Sequence, residues 1–273
     1  MSPMNPLGLI FPVDLYCISC GRPLPPQGRE GIALCESCYD GIVWVTGRRC
    51  AKCGRPLDAE NPGEVCRDCA ASPEHMFGKG LACALYMGTV AEIVRDMKYR
   101  GKSWYSGTLA AFMAARYAAE TDPETGECPP HDFLVSVPMT GRKKSVRGYN
   151  QAELLTRELS ERAGIAYLKD ALVRVRDTGV MSSLSSDERR QNLSEAFTVP
   201  CDMIDILAGK RLLLADDVYT TGSTANACAA VLLAAGAESV DIICFAIGAD
   251  VRRAEDRPAV IESPGQLRAK GPT

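Results

Sequence analysis

The sequence has no apolar run long enough to cross a membrane, because its longest one, residues 227–237, spans eleven residues and contains Gly236. A membrane-spanning helix needs roughly 18 or more apolar residues. The first twelve residues also lack the basic stretch and the sustained apolar core of a secretory signal. We therefore expect no membrane insertion and a cytoplasmic location.

Histidine is scarce as well, since the chain has only His75 and His131, and neither has a Ser or Cys partner at the spacing of a catalytic motif. We expect both to be structural or surface residues. The net charge is small, because 31 Lys and Arg residues against 34 Asp and Glu residues give −3. Such a balance creates no overall field that would attract nucleic acid, so any contact with nucleic acid depends on a local patch.

Cysteine, in contrast, is abundant near the N-terminus. Eight of the thirteen cysteines form four CxxC pairs, namely Cys17/Cys20, Cys35/Cys38, Cys50/Cys53 and Cys66/Cys69. In a reducing compartment such pairs are typical zinc ligands, and disulfides or a redox CxxC are the disfavoured alternatives. CISCGRPL at 17–24 recurs as CAKCGRPL at 50–57. This repeat predicts two structural Zn²⁺ ions with sequential pairing, one per unit, rather than a cross-braced arrangement.

The chain divides into three parts by pattern. Residues 1–79 form the small Cys-rich module, in which metal binding is expected to provide folding energy. From 80 to 249, strands at 80–87, 131–137, 211–215 and 239–247 alternate with helices at 89–99, 103–120, 149–163 and 223–235, and a basic loop follows the second strand. This alternation predicts an α/β domain with a mainly parallel sheet flanked by helices. Residues 250–273, rich in Arg, Glu, Pro and Gly, are predicted to be a disordered tail.

The segment RLLLADDVYTTGST, residues 211–224, is the most informative one. An apolar strand leads into two carboxylates, then a loop of Thr and Gly, then a helix, which is the position where parallel sheets bind ligands. The amides of Thr220, Thr221, Gly222, Ser223 and Thr224 are suited to bind a phosphate at the helix N-terminus. The adjacent carboxylates, Asp216 and Asp217, suit the two vicinal hydroxyls of a ribose.

DDVYTTGST resembles the phosphoribosyl-pyrophosphate (PRPP) motif of type I phosphoribosyltransferases. The order of the CxxC module, KYRG at 98–101, VPMTGRKKSVRGYNQA at 137–152, LSSDERRQNLSEAF at 184–197 and DDVYTTGST is similar to that of the competence-protein F family. That family includes DNA-uptake factors of naturally transformable bacteria. The resemblance covers roughly residues 15–248 and implies a type I phosphoribosyltransferase fold with an N-terminal double zinc ribbon.

The resemblance also implies roles for single residues. Asp216 and Asp217 would stabilise cationic character at ribose C1, and Arg142 and Arg147 would receive pyrophosphate, with Mg²⁺ bound alongside PRPP. Further PRPP contacts would come from three regions of the chain, represented by Lys98, Asn150, Gln151 and Arg189. Asn150 is equally suited to cap the following helix, and Lys98 to complement a helix dipole. One position departs from the family, because Met181 stands where a Gln is usual.

The residues and the resemblance together lead to two hypotheses for the function of this chain, each from a different class. The first is PRPP binding with transfer of the 5-phosphoribosyl group. The second is a non-enzymatic factor that binds single-stranded DNA and works with a helicase-type partner in DNA uptake. Single-strand binding needs exposed aromatic side chains beside cations, and Tyr99, Trp104, Tyr105 and Tyr149 lie near Lys98, Arg100, Lys102 and Arg147 in the sequence.

Overall fold

Five parallel strands form the central sheet. The computed structural model describes residues 16–25, 31–57, 61–71, 75–121, 131–176 and 195–249. The strands of this sheet are β1 (Gly80–Leu85), β2 (Phe133–Ser136), β3 (Ala166–Tyr167), β6 (Arg211–Tyr219) and β7 (Ser239–Ile247). Their order across the sheet is β1-β7-β6-β2-β3. A separate antiparallel pair consists of β4 (Val173–Arg174) and β5 (Phe197–Thr198).

Eight α-helices lie within the described residues. They are α1 (Glu36–Asp40), α2 (Arg67–Ala71), α3 (Gly88–Tyr99), α4 (Ser106–Ala118), α5 (Gly141–Arg147), α6 (Gln151–Ala163), α7 (Cys201–Leu207) and α8 (Ser223–Ala234). The buried face of α3 consists of Val90, Ile93, Val94 and Met97, as its sequence periodicity predicts.

The sheet separates two apolar cores. Helices α3, α4 and α6 pack on one face, where their side chains surround Phe245 and Leu213. Helix α8 and the β4–β5 pair cover the other face, around Leu212 and Leu214. Because parallel strands are buried on both faces, β6 and β7 are apolar almost throughout their length.

The Cys-rich segment packs on both sides of this sheet. Val45 donates its amide to the Cys83 carbonyl at 2.8 Å, and Leu85 donates to the Val43 carbonyl at 2.9 Å, so residues 43–45 cover the free edge of β1. Trp44 belongs to the core on the α3 side, and Val45 belongs to the core on the α8 side. The contact removes an unpaired strand edge, which would otherwise be open to pairing with other chains.

Three local expectations are wrong. Strand β6 continues to Tyr219 instead of ending at position 215, so the two aspartates belong to the strand itself. The basic segment after β2 is not a loop but helix α5, which Thr140 starts by accepting a hydrogen bond from the Lys143 amide. The helix expected from position 103 opens with a 3-10 turn, Ser103–Tyr105, and its α-helix ends at Ala118.

Three features that the sequence analysis singled out lie outside the described residues. They are Met181, Arg189 and the tail at 250–273. Among the residues that are described, no helix is both long enough and apolar enough to span a membrane.

Candidate functional site

The eight CxxC cysteines form two separate tetrads. Cys17, Cys20, Cys35 and Cys38 make one, and Cys50, Cys53, Cys66 and Cys69 make the other, with the ligand atoms of each within 4.8 Å of one another. This grouping confirms the sequential pairing and excludes a cross-braced arrangement. The second tetrad is fully buried, whereas the first is partly exposed.

The tetrads have the dimensions of zinc sites. A tetrahedral ion with bonds of about 2.3 Å to sulfur holds its thiolates about 3.8 Å apart. Cys20 Sγ lies 3.7 Å from Cys35 Sγ, and Cys53 Sγ lies 3.7 Å from Cys66 Sγ. Hydrogen bonding by the backbone and side chain of Arg22 lowers the pKa of Cys20 to about 6, which favours the thiolate that a metal needs. The residues therefore fit two structural zinc ions.

A second candidate site is a cleft of about 330 Å³ at the carboxyl ends of β2 and β6. This is the edge at which parallel sheets bind ligands. Most of the predicted site residues line the cleft together, namely Lys98, Arg147, Asn150, Gln151, Asp216, Asp217, Thr220 and Thr224. These residues come from α3, from the α5–α6 segment and from the β6–α8 connection, and only the fold brings them together.

The two carboxylates of the cleft differ in their surroundings. Asp217 is buried and its Oδ2 lies 2.8 Å from Lys98 Nζ. Burial disfavours the ammonium of Lys98, but the charge of Asp217 and the hydrogen bond to it outweigh that effect and raise the pKa of Lys98. Burial and the like charge of Asp217 raise the pKa of Asp216 to about 7, although Lys98 opposes the shift. The cleft therefore holds a Lys98–Asp217 ion pair beside one carboxyl, that of Asp216, which gains or loses a proton near neutral pH.

Residues 220–224, which we call the TTGST loop, connect β6 to α8. Gly222 has a φ of +78°, and a Cβ at this position would lie 2.1 Å from Tyr219 Oη. Only glycine fits there, because a side chain would be strained and would displace the tyrosine. Thr221 Oγ1 and Ser223 Oγ are 2.9 Å apart. The loop thus presents the first amides of α8, which have no acceptor inside the helix, beside the cleft.

Cations reach the cleft from α5. Lys143 and Arg147 line it, whereas Arg142 is exposed on the first turn of the helix and is not among the lining residues. Arg147 Nη1 donates to Gln151 Oε1 at 3.1 Å, and its guanidinium lies 5.0 Å from the centre of the Tyr99 ring. These two contacts hold Arg147 at the rim of the cleft.

The segment that joins α5 to α6 is anchored to the end of α3. Tyr149 Oη and Gln151 Nε2 both donate to the Met97 carbonyl, at 2.5 and 3.2 Å. Asn150 caps α6 by accepting from the Ala152 amide, and its Nδ2 donates to the Val137 carbonyl at 3.0 Å. Both ends of the Asn150 amide are thus used to build the cleft wall, and its role as a ligand contact stays a prediction.

Three other residues at this site carry no recognisable signal in the sequence. Tyr86 follows β1 and Arg174 lies in β4, and both line the cleft. Arg55, from the second zinc unit, donates from Nη2 to the Thr220 carbonyl at 3.2 Å. A basic residue beside a CxxC pair looks like an ordinary surface residue in the sequence, and only its burial at 5% exposure marks it out.

Comparisons with known proteins agree with this architecture. The double zinc ribbon domain matches residues 7–70, and the phosphoribosyl transferase domain matches residues 146–264. Together with the parallel sheet, the second match shows the type I phosphoribosyltransferase fold, as predicted.

Relatives align over most of the chain. Competence protein F of Haemophilus influenzae is 30% identical over 233 residues, which are 84% of this chain and 95% of that protein. DNA utilization protein YhgH of Escherichia coli (strain K12) is 30% identical over 231 residues, again 84% of this chain and 95% of the relative. Competence protein ComFC of Bacillus subtilis is 25% identical over 211 residues, which are 74% of this chain and 79% of the relative.

Proposed function

The chain belongs to the competence protein F family, and on that premise we propose that its cleft binds PRPP together with Mg²⁺ and supports transfer of the 5-phosphoribosyl group. The observation that carries this proposal is the convergence on one cleft of the adjacent carboxylates, the two ends of the TTGST loop (Thr220 and Thr224) and the cations of α5. Those three groups match the ribose hydroxyls, the 5-phosphate and the pyrophosphate of a single ligand.

Each group has a distinct task in this proposal. The TTGST loop donates backbone amides to the 5-phosphate. Asp216 and Asp217 accept hydrogen bonds from the ribose hydroxyls and stabilise positive charge that develops at C1. Arg147 and Lys143, which line the cleft, balance the charge of the departing pyrophosphate, whereas a contact from the exposed Arg142 stays a prediction. The magnesium ion supplies further charge neutralisation for the phosphates.

In the transfer step, the bond from C1 to the pyrophosphate oxygen breaks, and the bonding electrons leave with pyrophosphate. The acceptor then forms the new bond to C1 with its own electron pair. Gln151 takes part indirectly, because it fixes Arg147 through the hydrogen bond to Oε1. Lys98 neutralises Asp217 through their ion pair.

Calorimetric titration of the protein with PRPP and Mg²⁺ tests the site. We expect Asp217→Asn to weaken PRPP binding about tenfold or more, because a charge-assisted hydrogen bond is lost. Asp202→Asn, an exposed carboxylate on α7, is the matched control and should bind like the wild type. Unchanged PRPP affinity in Asp217→Asn would show that PRPP does not bind in this cleft.

A second candidate function is the binding of single-stranded DNA, which one surface feature favours. Tyr99 is 71% exposed and Trp104 is 60% exposed. Arg147 lies over the Tyr99 ring, and Lys102 Nζ lies 4.7 Å from the centre of the Trp104 ring. Exposed aromatic rings paired with cations are the elements of a single-strand binding surface.

Of the other two aromatic residues considered for such a surface, Tyr105 is not available to stack on bases, and Tyr149 is half-buried. Tyr105 is buried, and the Tyr149 hydroxyl is bonded to the Met97 carbonyl.

Retardation of a labelled oligonucleotide at increasing salt separates the two functions. We expect Trp104→Ala to weaken DNA binding about tenfold, which corresponds to the loss of one stacked base, while its PRPP affinity stays unchanged. Val146→Ala, at an exposed apolar position on α5, is the control. Wild-type protein that retards no oligonucleotide at low salt would exclude the DNA-binding function.

A further inference from the structure

The two zinc units carry the same CGRPL sequence but place its arginine in different surroundings. Arg22 of the first unit is exposed, and its Nε lies 3.3 Å from Cys20 Sγ of its own tetrad. Arg55 of the second unit is buried at 5% exposure, and its guanidinium bonds to Asp68 and to the Thr220 carbonyl. The repeat therefore provides an internal comparison between two chemically identical positions.

Arg55 connects the second zinc unit to the TTGST loop. Its Nη1 pairs with the carboxylate of Asp68 on α2, and its Nη2 donates to the Thr220 carbonyl at 3.2 Å. The planar guanidinium holds both acceptors at once, which a single ammonium group does not reproduce. Asp68 is thus the residue that orients Arg55, and Thr220 is the residue that Arg55 orients.

The segment that follows the second zinc unit makes two further contacts, one with Tyr219 just before the TTGST loop and one with α8 just after it. The Phe77 ring lies edge-on to Tyr219, with ring centres 6.2 Å apart. The Met76 amide donates to Asn226 Oδ1, on the first turn of α8, at 2.6 Å. Tyr219 in turn lies beneath Gly222, so the packing continues directly into the loop.

The second unit is also rigidly joined to the sheet. The Gly80 amide donates to the Lys52 carbonyl at 2.6 Å. A Cβ on Gly54 would lie 2.2 Å from the Gly80 carbonyl oxygen, so the two backbones are in direct contact. The backbone that carries Arg55 is therefore packed directly against β1, so the second zinc unit is not a separately moving module.

We propose that Arg55 is a positioning residue that fixes the TTGST loop in its ligand-binding conformation. The Thr220 carbonyl and the Thr221 amide belong to one planar trans peptide, in which oxygen and hydrogen point in opposite directions. A hydrogen bond from Arg55 that holds the oxygen toward the zinc unit therefore turns the Thr221 N–H away from it. With the loop at the edge of the cleft, this orientation presents the amide to a phosphate.

This inference rests on the proposed function only for the identity of the ligand. Orientation of the loop by Arg55 is a property of the protein alone and has its own measurement. Hydrogen–deuterium exchange reports the opening of residues 219–224 without any ligand, and PRPP titration reports the consequence for binding. Zinc analysis of each variant shows whether the tetrads remain intact.

We expect Arg55→Met to increase the exchange rate of the loop amides about tenfold and to weaken PRPP binding about tenfold, with two zinc ions retained. Asp68 is 57% exposed on its side chain, so it stays hydrated after its partner is removed. Arg67→Met, which changes an exposed arginine of the same zinc unit, is the matched control, and both its loop exchange and its PRPP affinity should equal those of the wild type.

Arg55→Lys keeps the positive charge, and it tests the proposal if Arg55→Met loses zinc. It should still pair with Asp68 but release the Thr220 carbonyl, which again speeds loop exchange. Unchanged loop exchange in a zinc-loaded Arg55 variant would overturn the proposal, and so would loss of zinc from both variants. Wild-type protein that binds no PRPP would overturn the proposed function instead, while faster loop exchange would still support the role of Arg55.

Discussion

Lys98 Nζ lies 2.8 Å from Asp217 Oδ2, so a lysine at the end of α3 neutralises one of two adjacent aspartates on β6. The pair is largely buried, with side-chain exposures of 21% and 9%. Two carboxylates in sequence repel each other, and burial strengthens that repulsion. The ion pair therefore allows both aspartates to occupy one cleft at a tolerable energetic cost.

A double-mutant cycle measures this pair. We expect Lys98→Met to lower the free energy of unfolding by about 2 kcal/mol, because it leaves a buried carboxylate without its partner. Combining it with Asp217→Asn should recover part of that loss, and urea unfolding of the four proteins gives the coupling. Arg100→Met, which breaks the exposed pair with Asp96, should cost at most about 0.5 kcal/mol. Strictly additive effects of the two changes would show that the pair contributes nothing.

The carboxyl of Asp216 makes stability depend on pH. Its pKa is raised from 3.8 to about 7 by burial and by Asp217, so the folded protein holds a proton that the unfolded chain has released. Stability from this group is therefore greatest at acidic pH and falls as the pH rises toward 7. Urea unfolding between pH 5.5 and pH 8 should show this fall for the wild type relative to Asp216→Asn. Parallel profiles for the two proteins would contradict the shift.

Gly222 is expected to tolerate no side chain. Gly222→Ala should lower stability by about 2 kcal/mol, because of its left-handed backbone and because the new methyl group displaces Tyr219. Thermal unfolding gives the size of the effect. Gly248→Ala is the control, since its Cβ would meet its nearest atoms at 3.7 Å, an ordinary contact, near the same loop. Equal melting temperatures for the two variants would argue against strain at Gly222.

Elemental analysis of protein purified without chelator should find two zinc ions. Replacing both Cys17 and Cys20 by Ser should remove one ion and leave the other, because the tetrads share no ligand. The matched replacement of Cys50 and Cys53 should also remove one ion but destabilise the protein more, since all four thiols of that tetrad are buried in the core beside β1. Loss of both ions from either variant would show that the sites depend on each other.

The sequence by itself determined the features that depend on neighbouring residues. The CxxC spacing and the repeat predicted two zinc sites and favoured sequential pairing, because a metal knuckle is formed by residues close in the chain. The structure then decided the pairing, by grouping the cysteines into two separate tetrads. The string DDVYTTGST was sufficient for the loop between β6 and α8, because its strand, glycine turn and helix are each specified locally.

Two predictions from the sequence are wrong where local signals compete. The basic segment after β2 is predicted to be a loop, yet a Thr140 cap and a run of Arg and Lys residues, which are good helix formers, make it α5. The sequence predicts that β6 ends at position 215, before the two aspartates, yet pairing with β7 continues the strand as far as Tyr219.

Only the tertiary structure decided which distant residues meet. Lys98 reaches Asp217 because the end of α3 is anchored beside β6 by Tyr149 and Gln151. Arg55 and Thr220 are 165 positions apart in the chain, and no local pattern relates them. Identical CGRPL segments give a buried arginine in one unit and an exposed one in the other, because burial is set by what the fold packs against each copy and not by the copy's own sequence.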